Sequence, residues 1–178
     1  MHMRILREES IALVVDYQEK LVPVMKNRED LINQSQILLQ GLQALKIPMI
    51  ITQQYTKGLG TTVREITEAV GFEDYVEKIS FSAYEQVKDL ITGKKYVIVC
   101  GIESHICVLQ TVIDLAAAGY VPVVVEDCIS SRKENDKKIA LKRMRQEGAI
   151  LTTTESVLFE LLREAGTETS KKIQRLIK

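Results

Sequence analysis

Two spacings of apolar residues alternate along the chain. Short runs rich in β-branched residues, typical of buried parallel strands, are followed by segments whose apolar residues recur at helical spacing. The short runs predict strands or extended segments at Ile11–Asp16, Pro48–Thr52, Tyr75–Ser80, Tyr96–Cys100, Val121–Glu126 and Ala149–Thr152. The helical spacing predicts helices at Asp30–Leu45, Val63–Val70, Tyr84–Ile91, His105–Ala118, Glu134–Gln146, Glu155–Ala165 and Ser170–Lys178.

The order of these elements predicts the fold class. Strands that alternate with helices form a parallel sheet covered on both faces, and right-handed crossovers make it a three-layer α/β/α sandwich. No linker, internal repeat or low-complexity segment interrupts the alternation. We therefore expect a single domain over residues 1–178, built on a mostly parallel sheet.

Charge and cysteine content narrow the classes of function. The chain has 24 Lys and Arg against 24 Asp and Glu, and this zero net charge does not favour binding to nucleic acid or to a membrane surface. The N-terminal segment lacks the apolar core of a signal peptide, and no apolar run approaches the roughly 20 residues of a membrane span. Three cysteines at irregular spacing do not form a disulfide framework. We expect a small-molecule partner and a reducing, cytoplasmic compartment.

Three reactive side chains fall where predicted strands end. Asp16 closes the first strand, Lys78 lies in the third extended segment, and Cys107 follows the strand Tyr96–Cys100 in the first turn of a helix. Ligands of open α/β sheets bind at the carboxyl ends of the strands. Because a helix N-terminus lowers the pKa of a thiol, we expect Cys107 to be a nucleophilic thiolate.

Each of these residues also has a purely structural interpretation. Asp16 alone could be a helix N-cap or part of a loop salt bridge. Lys78 could be an edge residue whose alkyl chain packs on apolar surface while its ammonium group stays in water. Cys107 could be a small apolar residue buried in the core. As a set they also fit an activated nucleophile. Asp16 would then take the thiol proton, and Lys78 would hold Asp16 ionised.

The other cysteines and the neighbouring histidine receive different assignments. Cys100, inside a strand, is expected to pack in the core, and Cys128, in a loop after a strand, to be structural or sensitive to oxidation. His105 precedes Cys107 by two residues in the same turn, so it faces elsewhere and is not the expected base. The motifs C-x-x-C, G-x-G-x-x-G and G-x-S-x-G are absent, and a cysteine phosphatase would need Arg where Ile113 stands.

Three segments, in this order, resemble one known family. IALVVDYQEKL contains Asp16, YVEKISFSAY contains Lys78, and GIESHICVLQTVIDLAAAGY contains Cys107. Together they resemble the isochorismatase-like cysteine hydrolase superfamily over nearly the whole chain, which implies its Rossmann-like α/β/α fold. Two further segments, TQQYTKGLG and RMRQEGAILTTTESVLFELL, are most similar to the isochorismatase-domain-containing proteins.

The resemblance implies a catalytic triad and an oxyanion hole. Asp16 would be the base, Lys78 its electrostatic partner, and Cys107 the nucleophile that attacks an amide or similar acyl carbon. Ammonia or an amine would leave, and water would hydrolyse the thioester. The family also has a non-proline cis peptide bond before its Cys loop, here Ile102–Glu103. That bond would direct the backbone N–H groups of Glu103 and Cys107 at one point.

The resemblance also separates this chain from the metal-binding nicotinamidase branch of the family. That branch has an Asp and two His after the second strand, where this chain has Gln53, Gln54 and Tyr55. The whole chain contains only two histidines, His2 and His105. We therefore expect neither a metal nor another cofactor. True isochorismatases cleave a vinyl ether without needing the Cys, so its presence favours amide chemistry.

The substrate pocket is expected between the loops at residues 53–62 and 81–84. The substrate-binding candidates are Gln53, Tyr55, Phe81 and Ile102.

Two other functions stay open for the same fold. One is a binding or oligomeric scaffold with negligible turnover, and the other is a redox sensor that pairs Cys107 with Cys128. The helix Glu155–Ala165 has apolar residues on more than one face. We therefore expect an exposed apolar patch and a homo-oligomer, unless the segment Ser170–Lys178 covers that patch.

Overall fold

Strands and helices alternate along residues 4–178, which the computed structural model describes; Met1, His2 and Met3 lie outside the described residues. The strands are β1 (Ser10–Val15), β2 (Met49–Gln54), β3 (Val76–Lys78), β4 (Tyr96–Ile102), β5 (Val121–Ser130) and β6 (Ile150–Thr152). The α-helices are α1 (Arg28–Ala44), α2 (Thr56–Leu59), α3 (Arg64–Val70), α4 (Tyr84–Val87), α5 (Leu109–Ala117), α6 (Glu134–Gln146), α7 (Thr154–Leu162) and α8 (Glu168–Ile177). Shorter turns are the 3₁₀ segments Arg7–Glu9 and Val22–Val24 and the π-helical segment Ser104–Val108.

The six strands form one parallel sheet in the order β3-β2-β1-β4-β5-β6. From β1 the chain builds outward through β2 and β3, and then returns to the other side of β1 with β4, β5 and β6. The strand order therefore reverses between β1 and β4. In such sheets the crevice above the carboxyl ends of these two strands is the usual ligand site.

Apolar layers cover both faces of the sheet, which confirms the expected α/β/α sandwich. One layer contains Leu38 of α1, Val157 of α7 and Ile173 of α8. The opposite layer contains Val112 of α5 and Met144 of α6. Because both faces are covered, β1 is buried along its whole length, and its sequence is a continuous apolar run instead of an alternating one.

The C-terminal helix α8 packs on α1 and α7. Ile173 of α8 is fully buried, as are Val157 and Leu158 of α7, while Phe159 stays 40% exposed. Contacts with α1, β5 and α8 of the same chain bury Val157 and Leu158. The apolar patch expected on α7 is therefore smaller than the sequence predicts, and it consists mainly of Phe159.

Strand β5 is longer than the predicted run Val121–Glu126. Its ladder with β4 shifts register, so β5 bulges past the polar residues Glu126 and Asp127 and pairs again at Ile129. Cys128, expected in a loop, therefore lies in a strand. The polar pair resembles a strand end in sequence, but hydrogen bonding to β4 continues the strand.

Other element boundaries also differ from the sequence prediction. β2 continues to Gln54, and the expected loop after it contains the short helix α2. The helix predicted over Tyr84–Ile91 ends at Val87, and the one predicted from His105 begins with the π-helical turn. Among residues 4–178, none of the helices combines the length and hydrophobicity of a membrane span.

Gly101 of β4 lies against Val15 of β1. Its φ is +133°, and a Cβ added there would lie 2.1 Å from the carbonyl oxygen of Val15 and 2.7 Å from its Cβ. The nearest atom belongs to the backbone of a central strand, so no flexible side chain can move aside. Glycine at this position therefore allows the two strands next to the crevice to approach each other.

We predict that Gly101→Ala lowers the free energy of unfolding by about 2–4 kcal/mol, because the methyl group clashes with β1 in a strained backbone. Gly93→Ala is the matched control, since Gly93 has φ +82° and nothing lies within 4 Å of an added Cβ. The control should cost only about 1 kcal/mol. Urea unfolding followed by circular dichroism measures both values. Equal losses in the two variants would contradict the close contact.

Candidate active site

The three reactive residues converge above the carboxyl ends of β1, β3 and β4. Asp16 directly follows β1 and has the left-handed φ of +52°, while Lys78 is the last residue of β3. Cys107 lies in the π-helical turn that follows β4. All three are buried. The topological switch point between β1 and β4 therefore brings together residues that are far apart in sequence.

A buried ion pair is the centre of the site. Lys78 Nζ lies 2.7 Å from Asp16 Oδ2, and neither side chain has exposed area. The hydroxyl of Thr52 on β2 donates to the other carboxylate oxygen, Asp16 Oδ1, at 2.8 Å. Buried charges need this combination of an opposite charge and further hydrogen bonds, because desolvation alone is costly.

Lys78 Nζ also has three neutral oxygens within hydrogen-bond distance. Nζ donates to Gln54 Oε1 at 2.7 Å, to the Phe81 carbonyl at 2.8 Å and to the Ser80 carbonyl at 3.1 Å. The ammonium group therefore has four oxygen neighbours for its three N–H donors. Asp16 Oδ2 is fully buried, with the Lys78 ammonium placed against it. A carboxylate oxygen has more than one acceptor site, so Oδ2 can accept a proton beside this cation.

The thiol of Cys107 is protonated in this environment. Its side chain is 6% exposed, and burial raises its pKa to about 12. The charge of Asp16 also raises the pKa, and the charge of Lys78 lowers it by less. The expectation of a resting thiolate at a helix N-terminus is therefore wrong, because loss of solvent and the nearby carboxylate outweigh the cation.

Glu103 and His105 anchor the turn that carries Cys107. The peptide bond between Ile102 and Glu103 is cis, as the resemblance implied. The carboxylate of Glu103 accepts from the backbone N–H of Arg132 at 3.0 Å and from its Nε at 3.1 Å. His105 Nδ1 lies 2.9 Å from Ser131 Oγ, so the ring faces the connection after β5, in agreement with the view that it is not the base.

Gln53, a candidate for substrate binding, has a side chain that bonds to the loop after β2. Its Oε1 accepts from the backbone N–H and the hydroxyl of Thr62, both at 2.9 Å, and its Nε2 donates to Thr56 Oγ1 at 2.9 Å. Both ends of the amide bond within the protein, so Gln53 supports the loop between β2 and α3. These bonds leave one N–H of Nε2 as the donor that a ligand could use.

Gln54, the next residue, takes the place beside the reactive groups. Side chains alternate between the faces of a strand, so Thr52 and Gln54 share one face while Gln53 points away. Thr52 contacts Asp16, and Gln54 contacts Lys78. The sequence contained this signal, because the period of two along β2 separates Gln54 from Gln53.

The other substrate-binding candidates divide into two kinds. Tyr55 and Phe81 are 50% and 52% exposed, and both adjoin Lys78 through backbone hydrogen bonds. Ile102 is fully buried in the apolar layer on the face of the sheet opposite Cys107. Its assignment to substrate binding is wrong, because its side chain is not available to a ligand.

The three cysteines are free, buried and divided between the two faces of the sheet. Cys100 and Cys128 belong to one apolar layer, and Cys107 belongs to the other. Cys128 Sγ lies 3.1 Å from Thr154 Oγ1, and burial raises its pKa as well as that of Cys100. The sheet separates Cys107 from Cys128, so the proposed redox pair does not fit this fold.

Comparison with known proteins gives consistent matches. Residues 10–156 match the isochorismatase domain as a protein family. Isochorismatase domain-containing protein 2A of Mus musculus is 38% identical over 178 residues, which is 98% of this chain and 85% of that protein. Isochorismatase domain-containing protein 1 of Danio rerio is 38% identical over 173 residues, 95% of this chain but only 61% of that protein.

Solved structures share the fold. The MAR1 ribonuclease of Caenorhabditis elegans superposes with a TM-score of 0.92 at 37% identity, over 98% of this chain and 92% of that one. The YcaC gene product of Escherichia coli, described as an octameric hydrolase of unknown specificity, superposes with a TM-score of 0.86 at 26% identity. That match covers 92% of this chain and 84% of the other.

We predict that iodoacetamide modifies Cys107 before Cys100 and Cys128, but slowly near neutral pH. Because the thiol pKa is raised to about 12, the reactive thiolate and hence the labelling rate should increase about tenfold per pH unit from pH 7 to 10. Peptide mass spectrometry of native protein measures the rate at each cysteine. In denatured protein, all three should react with the profile of an ordinary thiol. Preferential labelling of Cys128, or a rate that does not change with pH, would contradict the assignment.

Proposed function

The chain belongs to the isochorismatase family and is an isochorismatase-like hydrolase, and from this premise we propose the following chemistry. The protein is a cysteine hydrolase that cleaves a C–N bond of a small amide or ureido compound through a thioester, without a metal. The observation that carries the proposal is the fully buried ion pair of Asp16 and Lys78, whose two charges both act on the Cys107 thiol. A buried carboxylate held beside one cation and close to a thiol favours a role in proton transfer.

In the proposed first step, Asp16 Oδ2 accepts the thiol proton while Sγ of Cys107 bonds to the carbonyl carbon. The carbonyl oxygen becomes an oxyanion, for which the backbone N–H groups of Glu103 and Cys107 are the proposed donors. Lys78 Nζ, 2.7 Å away, balances the charge of the carboxylate before the step. A nucleophile that is protonated at rest and loses its proton only during attack agrees with the raised thiol pKa.

In the second step, the C–N bond breaks and Asp16 returns its proton to the departing nitrogen, releasing ammonia or an amine. A water molecule then attacks the thioester while Asp16 takes a proton from it. The C–S bond breaks, and the same proton restores the Cys107 thiol. One carboxylate thus serves as base and acid in both halves of the reaction.

The surroundings of the site favour a small and uncharged substrate. The ion pair Asp16–Lys78 has no net charge. Tyr55 and Phe81, whose side chains are half-exposed, bond to Lys78 through their backbone N–H and carbonyl groups. The whole chain also has no net charge, which does not favour the long basic surface that RNA binding requires. For these reasons we propose amide chemistry, although one similar structure is described as a ribonuclease.

We further propose that the protein is a single-domain homo-oligomer in a reducing, cytoplasmic compartment. Ile79 and Phe81 expose apolar surface close to the site, and the similar E. coli structure is described as octameric. Three free cysteines, none of them in a disulfide, agree with a reducing compartment.

We predict that Cys107→Ala and Asp16→Asn each reduce ammonia release by about 10³-fold or more, because each removes a partner of the same proton transfer. The assay uses wild-type protein and a panel of small amides and N-carbamoyl compounds. The double variant should be little worse than either single variant, since groups that act as one unit give non-additive losses. Cys128→Ala, on the other face of the sheet, is the matched control and should retain activity.

Two outcomes would argue against the enzyme. Ammonia release that persists in Cys107→Ala would remove the nucleophile from the mechanism. A folded wild-type protein that turns over none of the panel would favour the scaffold hypothesis. RNA in the same assay tests the remaining alternative, and its cleavage without amide hydrolysis would reject the proposed chemistry.

We predict that exhaustive chelation leaves the hydrolysis rate unchanged, within about twofold. Among residues 4–178, no group of three or more His, Cys, Asp or Glu side chains is placed to hold a metal ion. Elemental analysis after dialysis measures any bound metal, and assays before and after chelation measure the hydrolysis rate. Stoichiometric zinc together with a loss of rate that zinc restores would contradict the metal-independent mechanism.

A further inference from the structure

Thr111 of α5 connects two segments of the active site through its side chain. Its hydroxyl oxygen lies 2.7 Å from the carbonyl oxygen of Cys107 and 2.9 Å from the backbone nitrogen of Ala83. Thr111 and Ala83 are both fully buried, so water does not compete for these bonds. We propose that Thr111 is a positioning residue that holds the turn of Cys107 against the loop of residues 79–83, which follows Lys78. The inference deepens the proposed function and rests on it.

The partners of Thr111 determine the direction of both bonds. A carbonyl oxygen only accepts and a backbone N–H only donates, so the hydroxyl donates to Cys107 and accepts from Ala83. A hydroxyl has one proton and two lone pairs, and both bonds can therefore exist at the same time. The side chain thus bridges the two segments, and neither bond competes with the other for a proton.

The sheet does not connect these two segments directly. β2 and β1 lie between β3, which leads into the loop, and β4, which leads into the turn. The loop also contributes to the surroundings of the ion pair, since the carbonyls of Ser80 and Phe81 lie 3.1 and 2.8 Å from Lys78 Nζ. A bridge from this loop to the turn of Cys107 therefore restricts the distance between the ammonium group and the thiol.

Local helix geometry explains only one of the two bonds. Threonine hydroxyls in helices often donate to the carbonyl four residues earlier, as Thr111 does to Cys107. Thr92 makes the same kind of bond to the Lys88 carbonyl, at 3.2 Å, on an exposed part of the chain. The bond from Ala83, 28 residues away, has no such local cause. A buried N–H needs an acceptor, so without the Thr111 oxygen we expect the loop to shift.

The experiment compares Thr111→Val, which keeps the branched shape and loses the hydroxyl, with Thr111→Ser, which keeps the hydroxyl. We expect Thr111→Val to lower kcat about 30-fold, because small displacements of reacting groups slow the chemical step, with KM changed by less than about threefold. Thr111→Ser should restore kcat to within about threefold of the wild type. Thr92→Val is the matched control, since it removes a bond to a helix carbonyl but no bridge, and it should match the wild type.

Two measurements without substrate report on the bridge itself. Hydrogen exchange followed by NMR should show the Ala83 amide exchanging at least about tenfold faster in Thr111→Val, because its acceptor is gone. Iodoacetamide should modify Cys107 faster in this variant, since its turn is less restrained, while Cys100 and Cys128 on the other face of the sheet keep their wild-type rates. Thr111→Ser should reverse both changes. A general loss of stability would instead accelerate labelling at all three cysteines.

Because these measurements need no substrate, the two proposals fail separately. If the wild-type protein hydrolyses no amide, the proposed function fails, and selective changes at Ala83 and Cys107 in Thr111→Val still support the bridge. If amides are hydrolysed, wild-type kcat in Thr111→Val overturns the inference. Unchanged exchange of the Ala83 amide in that variant also overturns it.

If Thr111→Val labels at all three cysteines, it is unfolded. The wild type and Thr111→Ser then decide. An Ala83 amide that is protected from exchange in both proteins, together with kcat values within about threefold of each other, supports the inference. An Ala83 amide that exchanges in the wild type as fast as in denatured protein rejects it, as does a larger loss of kcat in Thr111→Ser.

Discussion

The buried ion pair between Asp16 and Lys78 is the constraint on which the rest of the site depends. Removing one member of such a pair typically costs about 3–5 kcal/mol, because a single charge is left without solvent or partner. The pair joins the ends of β1 and β3, which are separated by β2 in the sheet. Thr52 on β2 then bonds to Asp16, so three adjacent strands are connected through their carboxyl ends.

Desolvation explains both the stability and the chemical character of this centre. It makes the attraction between Lys78 and Asp16 strong, and it also keeps the Cys107 thiol protonated, with a pKa raised to about 12. A site of this kind stores no reactive thiolate at rest. In the proposed mechanism, reactivity depends instead on an acceptor that is present when a substrate arrives, and the buried Asp16 carboxylate has that role.

The sheet topology supplies the geometry that the chemistry requires. Gly101 allows β4 to approach β1, and the turn that follows β4 brings Cys107 above the end of β1. The bonds of Glu103 to Arg132 hold this turn from the side of β5. Each reactive group therefore belongs to a different strand end, and the surrounding polar contacts limit how far any of them can move.

Much of this could be predicted from the sequence, because strand and helix patterns and strand-end residues are local properties. Apolar spacing along the chain identified the alternating elements, and Asp16, Lys78 and Cys107 stood out as reactive side chains where those elements end. Other features depend on contacts between distant residues and on exclusion of water. Burial decided that Cys107 is protonated, pairing with β4 placed Cys128 in a strand, and packing against α1, β5 and α8 buried apolar side chains of α7. The period of two along β2 separates Gln53 from Gln54, but the tertiary structure decided that Gln54 is the one that faces Lys78, because the register of β2 against β1 and β3 determines which side chain points into the crevice.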